Sequence, residues 1–250
     1  MNKIKGFILF VIFVTSSSYS LFAISVTPWI NVEAGGFITQ YNNVKIPSET
    51  GTLFSLCDDL STQDWSYYRL NAGIDLNRHS ISVLYAPLLV KSTGTIDKDI
   101  TFYGETFTEG SSVTGLYKFN SYRLTYAYKI IDKPKFNLAA GISAKIRDAY
   151  ISLDDGTTSA KRSDFAVLPL IHLSTEWLFA THFSLLLKGD GLVAPQGRAE
   201  DFQLALVYTP IDNMSIRAGY RILEGGSDGG GSVYSFSMFH YFGLGIEYRF

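Results

Sequence analysis

Cysteine is nearly absent from this chain of 250 residues: Cys57 stands alone, so no disulfide framework can form within it. Long apolar runs are missing too. After residue 25 no stretch holds 18 consecutive apolar residues, which excludes a spanning helix from that part of the chain. Neither sign of charge dominates, with 21 basic and 23 acidic residues and a net charge of −2, so the basic excess that nucleic-acid binding demands is lacking. Charge as a whole is sparse at 18%, against about 25% in ordinary soluble domains. No EF-hand-like spacing occurs, and the Gly-rich stretch 225–231 lacks the Lys and Ser/Thr ending of a phosphate loop. No cofactor and no metal is expected.

Aromatic residues and glycine are abundant instead, with 16 Tyr, 18 Phe, 3 Trp and 22 Gly in a chain that is 46% hydrophobic. Collagen, coiled coil and polar linker are thereby excluded. Residues 1–23 carry Lys3 and Lys5, then the apolar run 6–14, then the small polar stretch 15–20, which is the order of a secretory signal peptide cleaved after Ser20 or Ala23. Residues 24–250 then form a single domain.

In that domain no helical period is sustained, whereas apolar residues alternate with small, polar or charged ones in segments of about ten residues. In the last segment Tyr234, Phe236, Met238, His240, Phe242, Leu244, Ile246, Tyr248 and Phe250 share one face. Ser235, Ser237, Gly243, Gly245, Glu247 and Arg249 share the other, with Phe239 and Tyr241 as exceptions. The same split recurs at 30–38, 68–76, 81–89, 122–130, 136–147, 165–179, 183–190, 202–208 and 214–222. The chain therefore reads as all-β, a transmembrane antiparallel up-and-down barrel of ten strands, with eight as the alternative and a soluble sandwich as the competing reading. Short connections at 77–79, 132–135, 180–182 and 209–213 face longer or Gly-rich links at 40–64, 92–113, 153–163, 195–200 and 224–232. Aromatics gather at the expected strand ends, with Trp29, Tyr128, Phe136, Trp177, Phe179, Phe183 and Phe250 beside the short turns and Trp65, Tyr67 and Tyr68 at the far end. Two such belts suit two membrane interfaces.

The chain ends in Phe242, Leu244, Ile246, Tyr248 and Phe250 at alternate positions. Together with the signal peptide, this terminus resembles the C-terminal assembly signal of bacterial outer-membrane β-barrel proteins. The resemblance implies a small monomeric barrel in the outer membrane of a Gram-negative bacterium, with membrane lipid, lipopolysaccharide and the barrel assembly machinery as partners and no nucleic acid. It carries over no catalytic residues.

Three sets of residues are candidates for chemistry. Glu33, Arg69, Asp75, Arg123, Lys145, Arg147, Glu176, Lys188, Asp190, Arg217, Arg221 and Glu247 fall on inward faces in mixed sign, and a ten-stranded lumen is narrow enough to force them to pair. His172, Ser174 and Glu176 share one face and are base, nucleophile and carboxylate by type. Same-face neighbours on a strand lie about 7 Å apart, however, so His172 is expected to join the lumen network rather than a triad. His240 and Glu224 fall near the outer rim, where a His and a Glu would suit lipid deacylation and an interfacial His beside aromatics would serve as an anchor. The expected function is an outer-membrane barrel with a narrow, charge-plugged lumen and a structural or surface-interaction role through its external loops, without enzymatic activity. A narrow small-solute pore and an outer-membrane lipid-modifying enzyme are the alternatives.

Overall fold

The computed structural model describes residues 25–250, so the signal peptide assigned to 1–23 lies outside the described residues. All regular structure in the described part is strand. Ten long strands follow one another: β1 (Val26–Lys45), β2 (Ser66–Leu76), β3 (His79–Ala86, resumed as Leu89–Thr95), β4 (Ser112–Lys133), β5 (Phe136–Asp154), β6 (Ser159–Ala180), β7 (Phe183–Ala194), β8 (Gly197–Ile211), β9 (Met214–Asp228) and β10 (Tyr234–Arg249). Pro87 explains the break in β3, because it has no amide hydrogen to donate to the ladder.

Every strand pairs antiparallel with its sequence neighbours, and β10 pairs with β1, which closes the ring; beyond it, residues 159–170 of β6 pair with β5 alone. The register is staggered around the ring. Paired residues lead from Thr27 through Asp75, Ser80, Ala127, Gly141, His172, Asp190, Asp201, Leu223 and Phe239 back to β1 at Thr39 rather than at Thr27. Such a stagger tilts the strands and closes the sheet into a barrel.

At one end the strands are joined by tight turns at 77–78, 134–135, 181–182 and 212–213, with Asn77 in the left-handed region at φ 54°. Asn tolerates that conformation better than most residues. The opposite end differs from the sequence expectation. The links at 153–163 and 195–200 shrink to 155–158 and 195–196, because β5, β6, β7 and β8 run further than their apolar segments. Chain leaving the bilayer continues its ladder, since pairing with a neighbouring strand satisfies the backbone as well as water does. Two links stay long, 46–65 and 96–111. Both fold over and into the barrel mouth, where Phe54, Leu56, Leu60, Ile96, Ile100, Phe102 and Phe107 join Phe37, Val44, Tyr117, Leu153, Phe239 and Tyr241 in one buried apolar core.

Around the middle of the barrel the outward face is apolar and exposed, with Val32, Ile74, Val83, Leu124, Ile142, Ile171, Leu187, Leu206, Leu244 and Ile246. A band of that size is unstable in water and suited to hydrocarbon. Tyr128, Phe136, Trp177, Phe179, Phe183 and Tyr208 border it on the short-turn side, and Trp65, Tyr68, Tyr85 and Tyr122 on the other. Two aromatics expected in these girdles point inward instead. Trp29 is buried with its ring over Gly73, its partner on β2, and its indole N–H donates to Asp75 at 3.3 Å. Tyr67 lies over Gly243 and donates to Glu33 at 3.1 Å. In both cases a glycine leaves the space an aromatic ring needs, on the adjacent strand for Trp29 and one strand further for Tyr67, and a lumen carboxylate accepts its polar hydrogen.

Candidate functional site in the barrel lumen

The inward faces of β1, β2, β4, β7, β8 and β9 bring a layer of ion pairs together across the lumen. Asp201 is its centre. Its carboxylate accepts from Arg69 at 3.0 Å, Arg123 at 2.6 Å and Arg221 at 2.6 Å, and the aspartate is 2% exposed. Arg123 also reaches Asp190 at 2.7 Å, and Arg221 reaches Glu33 at 3.2 Å. His172 Nδ1 lies 2.9 Å from Asp190, which also accepts from Ser143, while Gln203 donates to Glu33 at 2.8 Å. Three guanidinium groups thus face three carboxylates: Arg123 and Arg221 each donate through all three nitrogens, and Arg69 through Nη2. Charges removed from water require that degree of pairing.

Two cavities flank the layer. The one towards the short turns, ≈ 360 Å³, is lined by polar and charged groups, among them Asp75, Ser174, Glu176, Lys188, Glu247 and Arg249. There Arg217 pairs with Glu247 at 2.6 Å, Arg249 bridges Asp75 and Glu247 at 2.8 and 2.9 Å, and Glu176 accepts from Ser184. The cavity towards the long loops, ≈ 400 Å³, has mostly apolar walls. Lys145 and the Arg147–Asp164 pair lie on it.

The inward residues singled out in the sequence therefore separate into groups. Glu33, Arg69, Arg123, His172, Asp190 and Arg221 meet in the layer. Asp75, Arg217 and Glu247 meet below it, near Glu176, whose partner is a serine and not a cation. Arg147 pairs above it with Asp164. Lys145 and Lys188 have neither ion pair nor hydrogen bond among the described residues. Asp201, the centre, was missed because it directly follows the link assigned to 195–200. The signal that could have found it is its place in the β8 alternation, two residues before Gln203 and four before Ala205.

The proposed hydrolytic combinations are not assembled. His172 turns to Asp190 and Glu176 to Ser184, and neither bonds Ser174. On the outer surface, His240 Nε2 is hydrogen-bonded with Gln40 and its Nδ1 with Tyr220, so both ring nitrogens are engaged. Glu224 is held by Tyr41 and by both forks of Arg198, at 2.7 Å each, and does not bond His240. No group of three or more His, Cys, Asp or Glu side chains suits a metal among the described residues. Several loop carboxylates are occupied locally: Asp59 accepts from the Ser55 amide and pairs with Lys98, Asp64 accepts from the Lys91 amide, and Asp99 from the Glu109 amide. Cys57 lies in the same loop, where burial pushes its thiol above the usual range. Phe242, Leu244, Ile246, Tyr248 and Phe250 all face outward along β10, the strand that closes the ring against β1, and the Phe250 amide donates to Pro28.

A closed antiparallel ring, an apolar outer band between aromatic girdles and charge that, across that band, lies in the interior define the class: a transmembrane β-barrel of the outer-membrane type. Among solved structures the chain is similar to the attachment invasion locus protein Ail of Yersinia pestis, at 14% identity and a TM-score of 0.36, covering 89% of this chain and 98% of that one. It is also similar to Neisserial surface protein A, at 12% identity and 0.35, covering 89% and 97%. A third similar structure is the Pseudomonas putida toluene transporter TodX, at 7% identity and 0.35, covering 88% and 89%. No family model and no curated protein matches the sequence. The barrel itself rests on the strand pairing described above.

Proposed function

We propose that the protein is a non-enzymatic barrel of the Gram-negative outer membrane, its lumen closed to solutes by the ion-pair layer, with a structural or surface-interaction role at the long-loop end. The observation that carries this reading is Asp201 held at mid-lumen by guanidinium groups from three different strands, β2, β4 and β9. An ion crossing there would have to displace paired charges that nothing else nearby can satisfy. The fully engaged nitrogens of His240 and the separation of His172 from Ser174 support a role without hydrolysis. At the long-loop end, the buried apolar residues of 46–65 and 96–111 make the loops a fixed cap. Glu49, Asp97, Lys98 and Glu105 remain exposed on its surface for contact with partners.

Reconstitution into a planar bilayer tests the closure. The wild-type protein should give no steady conductance, and Asp190→Ala with Asp201→Ala should introduce a leak by freeing Arg69 and Arg123 and leaving Arg221 to Glu33 alone. Stable, ion-selective channels from the wild type, unaltered by that double substitution, would assign it to solute transport instead.

A further inference from the structure

The ion-pair layer is balanced by its own members, which makes Lys145 an excess cation. Its side chain is 2% exposed, yet no carboxylate lies within ion-pair distance of it and it donates no hydrogen bond among the described residues. The ammonium sits 4.6 Å from the centre of the Phe119 ring. Phe119 lies further along β4 towards the long loops than Arg123, the residue paired with Lys145, so the side chain is drawn away from Asp190 and Asp201. The ammonium is thereby delivered to the ≈ 400 Å³ cavity, whose walls include Ile151, Leu168, Leu192 and Leu223 and whose two carboxylates, Asp164 and Glu224, are paired with Arg147 and Arg198. Lys188 is the counterpart below the layer, but its cavity is polar and carries Asp75, Glu176 and Glu247. Only the upper cavity combines an unpaired buried cation with apolar walls and a volume in the range of small-molecule sites, about 300–1,000 Å³.

We propose that this cavity binds a small amphiphilic carboxylate, with the carboxylate on Lys145 Nζ and the hydrocarbon or aryl part against the apolar walls. A buried ammonium without a counter-ion is costly, and a monoanion supplies the missing partner. An apolar tail displaces water from a surface that holds it poorly. A cationic amphiphile would face like charge, and a neutral one would leave the ammonium unpaired. The site lies above the ion-pair layer and is independent of whether that layer conducts.

The test is calorimetric titration of the whole protein in lipid nanodiscs, with empty nanodiscs subtracted, using octanoate, octanol and octylamine as probes. Octanoate should bind saturably at one site, octanol more weakly and octylamine not measurably. Lys145→Met should lower octanoate affinity roughly tenfold or more, the size of a lost charge-assisted hydrogen bond, while Lys145→Arg keeps most of it. Ala149→Phe, which fills the cavity without touching the cation, should abolish binding and decides the matter if Lys145→Met does not fold. Octanoate bound equally by wild type and Lys145→Met, binding indifferent to Ala149→Phe, or octylamine bound as tightly as octanoate would each overturn the proposal.

Discussion

The two halves of the barrel obey opposite rules. In the half nearer the short turns, large apolar side chains point outward and the charged and polar ones inward among a few small apolar ones, as at Leu204, Leu206 and Tyr208 against Gln203, Ala205 and Val207 on β8. In the half nearer the long loops the interior is apolar. Phe37, Tyr117, Ile151, Leu153, Phe239 and Tyr241 point in, while Lys118, Asp148, Lys161 and Ser163 point out. The exchange happens within single strands; on β1 a bulge between Thr39 and Tyr41 moves the buried set from odd to even positions, whereas β4, β5 and β10 keep their two faces while the surroundings change from hydrocarbon to water. Above the bilayer the barrel is a water-soluble protein with its own core, and within the bilayer it is that protein turned inside out. The aromatic contacts of the upper core, Phe37 to Phe239 at 5.8 Å and Tyr67 to Tyr241 at 4.7 Å, have the edge-on geometry of a packed interior.

Four substitutions test this contrast. The largest effect is expected at the boundary between the halves. Asp201→Ala leaves three guanidinium groups without their shared partner, and should cost about 3–5 kcal/mol or more in urea unfolding from a bilayer. In the upper core, Phe239→Ala opens a cavity among side chains that cannot collapse onto it, at about 3–5 kcal/mol by the same measurement. On the lower exterior, Leu206→Arg meets hydrocarbon and should cost about 2–4 kcal/mol. The same change at Leu116, also on an outward face but in the upper half, should stay within about 0.5 kcal/mol, since the arginine there meets water. Equal costs at 206 and 116 would remove the distinction between the halves.

The smallest effect concerns the hairpin tip outside the membrane. Amides of Thr157 and Thr158 donate to Asp155 and hold its carboxyl below the usual range. A depressed carboxylate stabilises the folded turn above its ordinary pKa, and that contribution is lost as the pH falls through the depressed value. Amide exchange at residues 157 and 158 should therefore speed up, relative to the intrinsic rate, on acidification. Asp155→Asn should remove that dependence.

Much of the lower half was legible in the sequence, because alternation is a direct record of two faces with different solvents. Ten strands, short turns at one end and an apolar outer band all follow from it. Phe239 and Tyr241 broke the pattern only because they lie past the point where the faces exchange character. Trp29 and Tyr67 belong to the girdles by residue type and strand-end position, and the glycines that admit them inward sit on other strands, at positions no local pattern reveals. The strand extensions at 147–154 and 159–164 are polar enough to pass for loop. The centre of the ion-pair layer was hidden for a related reason: Asp201 belongs to an interior that only the closed register assembles, from Arg69, Arg123 and Arg221, residues far from it in sequence.

The closed lumen is tested most directly by sidedness of access. Ala139→Cys, in a Cys57→Ser background, places a thiol in the cavity below the layer. In vesicles of known orientation, a small membrane-impermeant thiol reagent should label it from the short-turn side and leave it unlabelled from the long-loop side. Equal labelling from both sides would show an open passage through the ion pairs and contradict the account.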